Sequence, residues 1–184
     1  MTAHPEAHRP RSSRKLPITE PAHLRAVLRG ARRLSPEHLE VVVILYRTGI
    51  EVKALSKVTW RDFVQGELIW KRRRRRDDVH IPIGDPDLAE TLRAFISRRR
   101  RSSDQLDRLI AAAFRESRVP ELARASPITL RLTRCWLELG SGRSPDEVAR
   151  TLALPSAVVR ELSALPPPSD PALWGFGSFG PEEE

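Results

Sequence analysis

The sequence predicts an α+β fold that is mainly α-helical with one small antiparallel β-sheet. Apolar residues recur at helical spacing through most of the chain, as in Leu24, Val27 and Leu28. One stretch, residues 67–83, instead has two short apolar runs separated by charged residues, which is typical of a β-hairpin. The 184 residues are enough for one domain with a hydrophobic core.

The first helices are bounded by proline and glycine. Pro21 is tolerated in the first turn of a helix, and the apolar stripe that follows it predicts the first helix. A second helix is predicted from Ser35-Pro36 to Gly49, and its long apolar run indicates a buried central position. A short helix is expected around residues 51–57, followed by the hairpin strands Leu68–Trp70 and Val79–Ile83.

Five more helical segments are expected after the hairpin. The fourth opens at Ser144 with Glu147 three residues later, which is a capping-box pattern. The segments are DPDLAETLRAFISRRRR, which ends in the four arginines 98–101, DQLDRLIAAAFRESRV, SPITLRLTRCWLELG, SPDEVARTLAL and PSAVVRELSAL. We predict three regions: a disordered basic arm at 1–15, a globular domain at 16–165, and a Pro-rich linker with an aromatic and acidic tail at 166–184.

Composition narrows the possible partners. The formal net charge of +8 favours a polyanion, most often nucleic acid, although a basic soluble protein without such a partner has the same charge. Cys135 is the only cysteine, so neither a disulfide framework nor a zinc knuckle is expected, and no metal or cofactor is predicted. Neither a signal peptide nor a membrane span is predicted. We therefore expect a cytoplasmic protein, associated with the nucleoid if it binds DNA.

The order of these elements resembles the catalytic domain of the tyrosine recombinases, the phage-integrase family. A helix ends in Thr48-Gly49, and a short helix and VTWRDF follow. A basic hairpin ending in IPI comes next, and a later helix contains Leu130-Arg131. The resemblance covers about residues 16–165 and implies the fold of that domain.

The resemblance also implies which residues occupy the family's catalytic positions. Members cleave one DNA strand with a tyrosine, while arginines, a hairpin lysine and histidines hold and protonate the phosphate. Arg131 matches the second arginine, and Lys71 or one of the arginines 72–76 matches the lysine. The other positions are replaced, with Glu51 for the first arginine, Ile128 and Leu154 for histidines, Leu132 after the second arginine, and Ser163 for the nucleophile.

Residue counts support loss of the family's chemistry. The only tyrosine, Tyr46, lies in the predicted buried helix, and all five histidines lie at or before His80. The C-terminal half therefore has neither a tyrosine nucleophile nor a histidine acid or base. We expect no enzymatic activity, and we expect Glu51 either to pair with Arg131 or a hairpin arginine, or to be an ordinary acid at a helix N-terminus.

Several further residues are candidates for binding. Cations at a hairpin tip and at the end of a helix suit DNA phosphates, although solvated loops and helix ends are the alternative for both. The predicted DNA contacts are Lys71, Arg72, Arg73, Arg74, Arg75, Arg76, Arg98, Arg99 and Arg131. Arg131 is alternatively held in a salt bridge. Trp174, Phe176 and Phe179 are predicted to dock a protein partner or a neighbouring protomer, with a disordered end as the alternative.

Four side chains are expected in the core, and one pair of helices has a second interpretation. Cys135, Trp60, Trp70 and Trp136 are predicted to pack in the core. Residues 144–165 also fit a helix-turn-helix, a second possible DNA-binding module.

The sequence thus supports two main hypotheses. One is a catalytically inactive recombinase-like protein that binds duplex DNA, largely without sequence preference, in an architectural or regulatory role. The other is a protein-interaction scaffold whose tail docks a partner. An active strand transferase with unusual residues is a third.

Overall fold

The structure is a computed structural model that describes residues 16–70, 78–98, 100–168 and 170–174. Within these residues lie eight α-helices and three β-strands, which confirms the predicted mainly helical α+β class. The helices are α1 Pro21–Leu34, α2 Pro36–Thr48, α3 Val52–Leu55, α4 Pro86–Ser97, α5 Ser103–Glu116, α6 Pro127–Gly140, α7 Pro145–Leu152 and α8 Ser156–Ser163. The strands are β1 Phe63–Val64, β2 Glu67–Trp70 and β3 Val79–Pro82. The predicted basic arm and most of the tail lie outside the described residues.

Helix α2 has the central position that its apolar run predicts. The Ser35 side chain accepts a hydrogen bond from the His38 backbone N–H at its start, and Gly49 ends it with φ 64°. Val41, Ile44 and Leu45 are fully buried, and α2 packs against α1, α4, α5 and α6. The core is therefore built around α2, and the residues after Gly49 leave from its centre.

The three strands form one antiparallel sheet in the order β1-β2-β3. Trp70 pairs with Val79 and Leu68 with Ile81, and these four side chains are buried. The alternation in residues 67–83 therefore sets the register, because one face of each strand is apolar. Strand β1 pairs with β2 along one edge, and its other edge is open because no strand among the described residues pairs with it.

A second, smaller apolar cluster joins α6, α7 and α8. Leu132, Cys135, Val148, Val159 and Leu162 are among its buried members. Cys135, Trp70 and Trp136 are buried as predicted. Trp60 is not, because its side chain is 52% exposed.

No helix in the described ranges combines the length and the apolar character needed to cross a bilayer.

Candidate nucleic-acid interface

The predicted basic run, Lys71 and Arg72 to Arg76, lies outside the described residues, but the strands that flank it are well anchored. Strand β2 ends at Trp70 and β3 begins at Val79, and both side chains are buried. The run thus leaves from and returns to fixed positions on the sheet. Its contact with DNA stays a prediction.

Many arginines elsewhere are already neutralised by carboxylates of the same chain. Arg98 contacts Glu40 at 2.7 Å between Nη2 and Oε1, and Arg101 contacts Glu37 at 2.5 Å between Nε and Oε1. The hydrogen bond from Arg101 lowers the pKa of Glu37. Other arginines with carboxylate partners are Arg33, Arg47, Arg134 and Arg143.

Arg98 has a carboxylate partner that the sequence did not predict. Helix α4 ends at Ser97, so Arg98 lies just beyond it and reaches across to α2. A guanidinium that is paired with a carboxylate attracts a phosphate less strongly, because the carboxylate offsets its positive charge. Its contact with DNA stays a prediction, and Arg99 lies outside the described residues.

Four cations beside the open sheet edge are different. They are Lys57, Arg61, Arg93 and Arg100, and none of them has a carboxylate partner among the described residues. The Arg100 guanidinium donates to the Lys57 carbonyl at 3.3 Å, and the Arg93 guanidinium lies 5.7 Å from the centre of the Phe63 ring. These contacts bring α4, the loop after it, α3 and β1 together at one edge.

Two exposed apolar side chains lie in the same region. Trp60 and Val64 are 52% and 45% exposed, and the turn that carries Trp60 contacts both β1 and β2. We call Lys57, Trp60, Arg61, Val64, Arg93 and Arg100 the sheet-edge patch. Unpaired cations also occur on α1 and α5, but this set lies beside β2, the strand that ends where the basic run begins.

Three of the positions implied by the recombinase resemblance line one cleft. Glu51, Ile128 and Arg131 border a space of about 590 Å³, together with Lys53 of α3 and Asp107 of α5. Burial, and then the charge of Asp104, raises the pKa of Asp107. The cleft therefore has two carboxylates at its border instead of a purely cationic lining.

The predicted pairing of Glu51 with Arg131 is wrong. Glu51 is exposed, and its side chain has no hydrogen-bond or ion-pair partner in the described part of the chain. Arg131 is only 7% exposed, and it donates from Nε to the Gly49 carbonyl at 2.8 Å and from Nη2 to the Leu152 carbonyl at 2.7 Å. Backbone carbonyls exposed by the ends of α2 and α7 hold this guanidinium, because each helix end leaves acceptors without an intrahelical donor.

Arg131 also contacts the sheet, with its guanidinium carbon 5.9 Å from the centre of the Trp70 ring. It thus connects α2, α6, α7 and β2 beneath the cleft. This structural role was not predictable from the sequence, which indicated that Arg131 either contacts a phosphate or forms a salt bridge.

The remaining implied positions are apolar or peripheral. Leu132 and Leu154 are buried in the second cluster, and Ile128 packs against it. Ser163 is exposed on α8, where its hydroxyl donates to the Arg160 carbonyl at 2.8 Å. Burial raises the pKa of Cys135 in that cluster to about 12, so its thiol stays protonated at neutral pH.

Tyr46 is also unsuited to attack a phosphate. Its side chain is 1% exposed, and its hydroxyl donates to the Trp174 carbonyl at 2.8 Å. Burial raises its pKa to about 12. The only tyrosine of the chain is therefore a core residue, as its helix pattern predicts.

Trp174, which the sequence assigned to partner docking, packs within its own chain. It is 5% exposed, and its ring lies edge-on to Trp136 with 5.3 Å between ring centres. The Trp136 indole N–H also donates to the Pro166 carbonyl at 2.9 Å. Phe176 and Phe179 lie outside the described residues, and docking by the tail stays a prediction for them.

The predicted helix-turn-helix corresponds to α7 and α8. The connecting residues 153–155 include Ala153 at φ 54°, and Val148, Leu152 and Val159 bury the apolar faces. Its surface is not basic, because the three carboxylates Asp146, Glu147 and Glu161 outnumber Arg150 and Arg160. DNA binding by this pair stays a prediction.

The sheet-edge patch is the feature that sequence reasoning missed. The signal was present in KVTWR, where an aromatic residue lies between cations, but Trp60 was assigned to the core. Arg93 and Arg100 lie far along the chain, and only folding brings them to this edge. Within the described ranges, no group of three or more His, Cys, Asp or Glu side chains is placed to hold a metal ion.

Known proteins resemble this chain in fold but not detectably in sequence. No family model and no curated protein matches the sequence. A lambda integrase dimer bound to a COC′ core site superposes with a TM-score of 0.67 at 17% identity, over 83% of this chain and 61% of that one. XerA recombinase gives 0.68 at 14% identity, over 97% and 68%.

A lambda integrase structure bound to DNA gives a TM-score of 0.63 at 19% identity, over 77% of this chain and 56% of that chain. This chain thus spans about three fifths of the lambda integrase structures that it resembles. At these identities the comparison concerns the fold alone. The chain has the fold of a tyrosine-recombinase catalytic domain.

Proposed function

We propose that the chain binds DNA without cleaving it, in an architectural or regulatory role. The observation that carries the proposal is the sheet-edge patch, whose four cations have no carboxylate partner among the described residues. Unpaired cations bind phosphates and release condensed counterions, which is the main source of sequence-independent DNA affinity. The run 71–76, which follows Trp70 in the sequence, contains six more cations.

The cleft supports the absence of strand cleavage. Two unit charges 4 Å apart interact by about 4 kcal/mol at an effective dielectric of 20. Glu51 would repel a phosphate in the cleft, but by less than this energy, because its side chain is exposed to water. Arg131 has two donors committed to backbone carbonyls, so it is less free to hold a phosphate.

The nucleophile supports the same conclusion. Tyr46 is buried and bound to Trp174, and Ser163 has no histidine or other base among its hydrogen-bond partners in the described chain. A hydroxyl needs an adjacent base or a lowered pKa to attack phosphorus. We therefore expect no covalent protein–DNA intermediate.

The decisive measurement is affinity for a fluorescein-labelled duplex by anisotropy across a salt series. The test variant replaces Arg72, Arg73, Arg74 and Arg75 by Gln. The matched control removes the same charge from unpaired arginines on and after α5, namely Arg108, Arg115, Arg118 and Arg124. Each phosphate contact contributes about 0.9 to the magnitude of the slope of log K against log salt. We therefore expect this magnitude to fall by about 3 to 4 units in the test variant.

Equal losses in the test and control variants would contradict the assignment to the hairpin and indicate diffuse charge attraction. No binding even at low salt would contradict the proposal itself. A separate assay with nicked suicide duplexes tests catalysis, and we expect no protein–DNA adduct that survives denaturing electrophoresis. An adduct would show that the chain is an active strand transferase.

The scaffold alternative depends on the C-terminal tail. Trp174 is buried against Trp136 and Tyr46, so it is not offered to a partner in this conformation. No contact of the described residues favours the scaffold over DNA binding. The low-salt DNA measurement distinguishes the two.

A further inference from the structure

Trp60 differs from every other tryptophan of the chain. Trp70, Trp136 and Trp174 are 8%, 4% and 5% exposed, whereas Trp60 is 52% exposed. A tryptophan side chain has roughly 250 Å² to bury, so about half of that area remains in water. Burial of this area against a ligand would contribute favourably to the free energy of binding. The exposed indole is therefore a candidate contact for a ligand.

Hydrogen bonds between Thr59 and Asp62 fix the turn that carries Trp60. The Asp62 carboxylate accepts hydrogen bonds from the Thr59 backbone N–H at 2.9 Å and from the Thr59 hydroxyl at 2.7 Å. The bond from the Thr59 backbone N–H is part of a capping box on the 3₁₀ turn Trp60–Asp62. The indole is therefore presented on an ordered turn, and a ligand does not have to be ordered along with a loose loop.

The Asp62 carboxylate accepts hydrogen bonds from Thr59 and makes no ion pair with a described cation of the patch. Asp62 is bound to Thr59, while Lys57, Arg61, Arg93 and Arg100 keep their positive charges without a described carboxylate partner. Phe63 is already covered by Arg93, which leaves Trp60 as the aromatic face open to a ligand. An aromatic face among unpaired cations is the combination that binds unpaired nucleotides, with cations on the phosphates and the ring on a base.

We propose that Trp60 stacks on an unpaired nucleobase, so that the protein prefers DNA in which a duplex adjoins a single-stranded segment. This inference rests on the proposed DNA binding and specifies the form of the DNA. A fully paired duplex offers the patch phosphates but no base face, because its bases are stacked on one another. At a gap or overhang the cations bind the same backbone and Trp60 gains a partner.

The test compares one labelled duplex, the same duplex with a four-nucleotide gap, and the same duplex with a five-nucleotide overhang. Wild type, Trp60→Ala and Trp60→Phe are measured against each. We expect wild type to bind the gapped and overhanging DNA about 5-fold to 150-fold more tightly than the duplex, the range for one stacked base. Trp60→Ala should abolish this preference, and Trp60→Phe should retain part of it.

Leu34→Ala is the matched control, because Leu34 is an exposed apolar residue, 40% exposed, at the end of α1. It should leave the preference unchanged. Intrinsic fluorescence gives an independent readout, since Trp60 is the one exposed indole and stacking quenches indole emission. We expect gapped DNA to quench wild type and to have little effect on Trp60→Phe.

Three results would overturn the inference. Equal affinity of wild type for duplex and gapped DNA would refute base stacking while leaving the proposed DNA binding intact. Absence of binding to every DNA would refute both. Quenching of Trp60 by poly-glutamate as strong as that by gapped DNA would show that the patch recognises an acidic polypeptide instead.

Discussion

The cleft and the sheet-edge patch both contain cations, yet the environments of these cations are opposite. In the cleft, Arg131 is buried and bound to the Gly49 and Leu152 carbonyls, and two carboxylates stand at the border. In the patch, the cations are exposed and have no described carboxylate partner. The number of cations at a site therefore does not give the charge available to a phosphate, because some of these cations are already bound to groups of the same chain.

The strongest test of this comparison removes the charge of the patch. Changing Lys57, Arg61, Arg93 and Arg100 to Gln should lower duplex affinity about a thousandfold at 0.1 M salt and reduce the salt slope by about 3 to 4 units. Stability should change by less than about 0.5 kcal/mol, because these side chains lie at the surface. Anisotropy and urea unfolding measure the two effects, and a normal slope would mean that the patch does not contact phosphates.

The converse change is made in the cleft. Arg131→Ala should destabilise the fold by about 2–4 kcal/mol, because it leaves the Gly49 and Leu152 carbonyls buried without their donor. The salt slope of DNA binding should stay the same, since this guanidinium is committed to the backbone. Urea unfolding and anisotropy on the folded fraction test both points.

Arg131→Lys separates charge from geometry. Lysine keeps the charge but cannot reach two carbonyls with a planar fork, so we expect much of the stability loss to persist. A slope that falls by about one unit in either variant would contradict the assignment and show that Arg131 binds a phosphate.

A smaller effect is expected from Glu51. Glu51→Arg replaces a repulsive charge by an attractive one at the border of the cleft, and it should raise duplex affinity by about 5-fold to 10-fold at low salt. The salt slope should steepen by about one unit. Glu121→Arg is the control with the same charge change at another exposed position. Equal gains in both variants would indicate a general charge effect and not one of the cleft.

The smallest predicted effect concerns pH. Burial and the charge of Asp104 raise the pKa of Asp107, so the folded state holds this proton more tightly than the unfolded state. The resulting stability is fully present below the ordinary pKa of an aspartate, about 3.9, and is lost as pH rises through the raised value. Asp107→Asn should lack this component in urea titrations from about pH 3 to pH 6. An unchanged pH dependence would show that Asp107 is solvated like an ordinary surface carboxylate.

Much of the fold was predictable because local chemistry determines it. Ser35 caps α2 and Gly49 ends it in the left-handed conformation that favours glycine, whatever the rest of the chain does. The two short apolar runs in residues 67–83, separated by charged residues, predicted the paired strands. The order of these elements then indicated the recombinase fold that the structural comparisons show.

The candidate site was less predictable because it depends on contacts between distant residues. Glu51, Ile128 and Arg131 border one cleft, although they lie up to 80 residues apart in the chain. The partners of Arg131 could not be foreseen, because they are backbone carbonyls that α2 and α7 expose only after packing. For the same reason the pairing of Arg98 with Glu40, 58 residues away, left no signal in the sequence.

Local patterns in the sequence were enough to predict the helices and the two hairpin strands, because periodicity and caps are local properties. The packing of distant segments determines which of the four tryptophans is exposed to solvent and which cations have no carboxylate partner among the described residues. It buried Trp174 against Trp136 and left Trp60 on an open sheet edge. The physical reason is that burial and ion pairing depend on what packs opposite a side chain, and that neighbour lies elsewhere in the sequence.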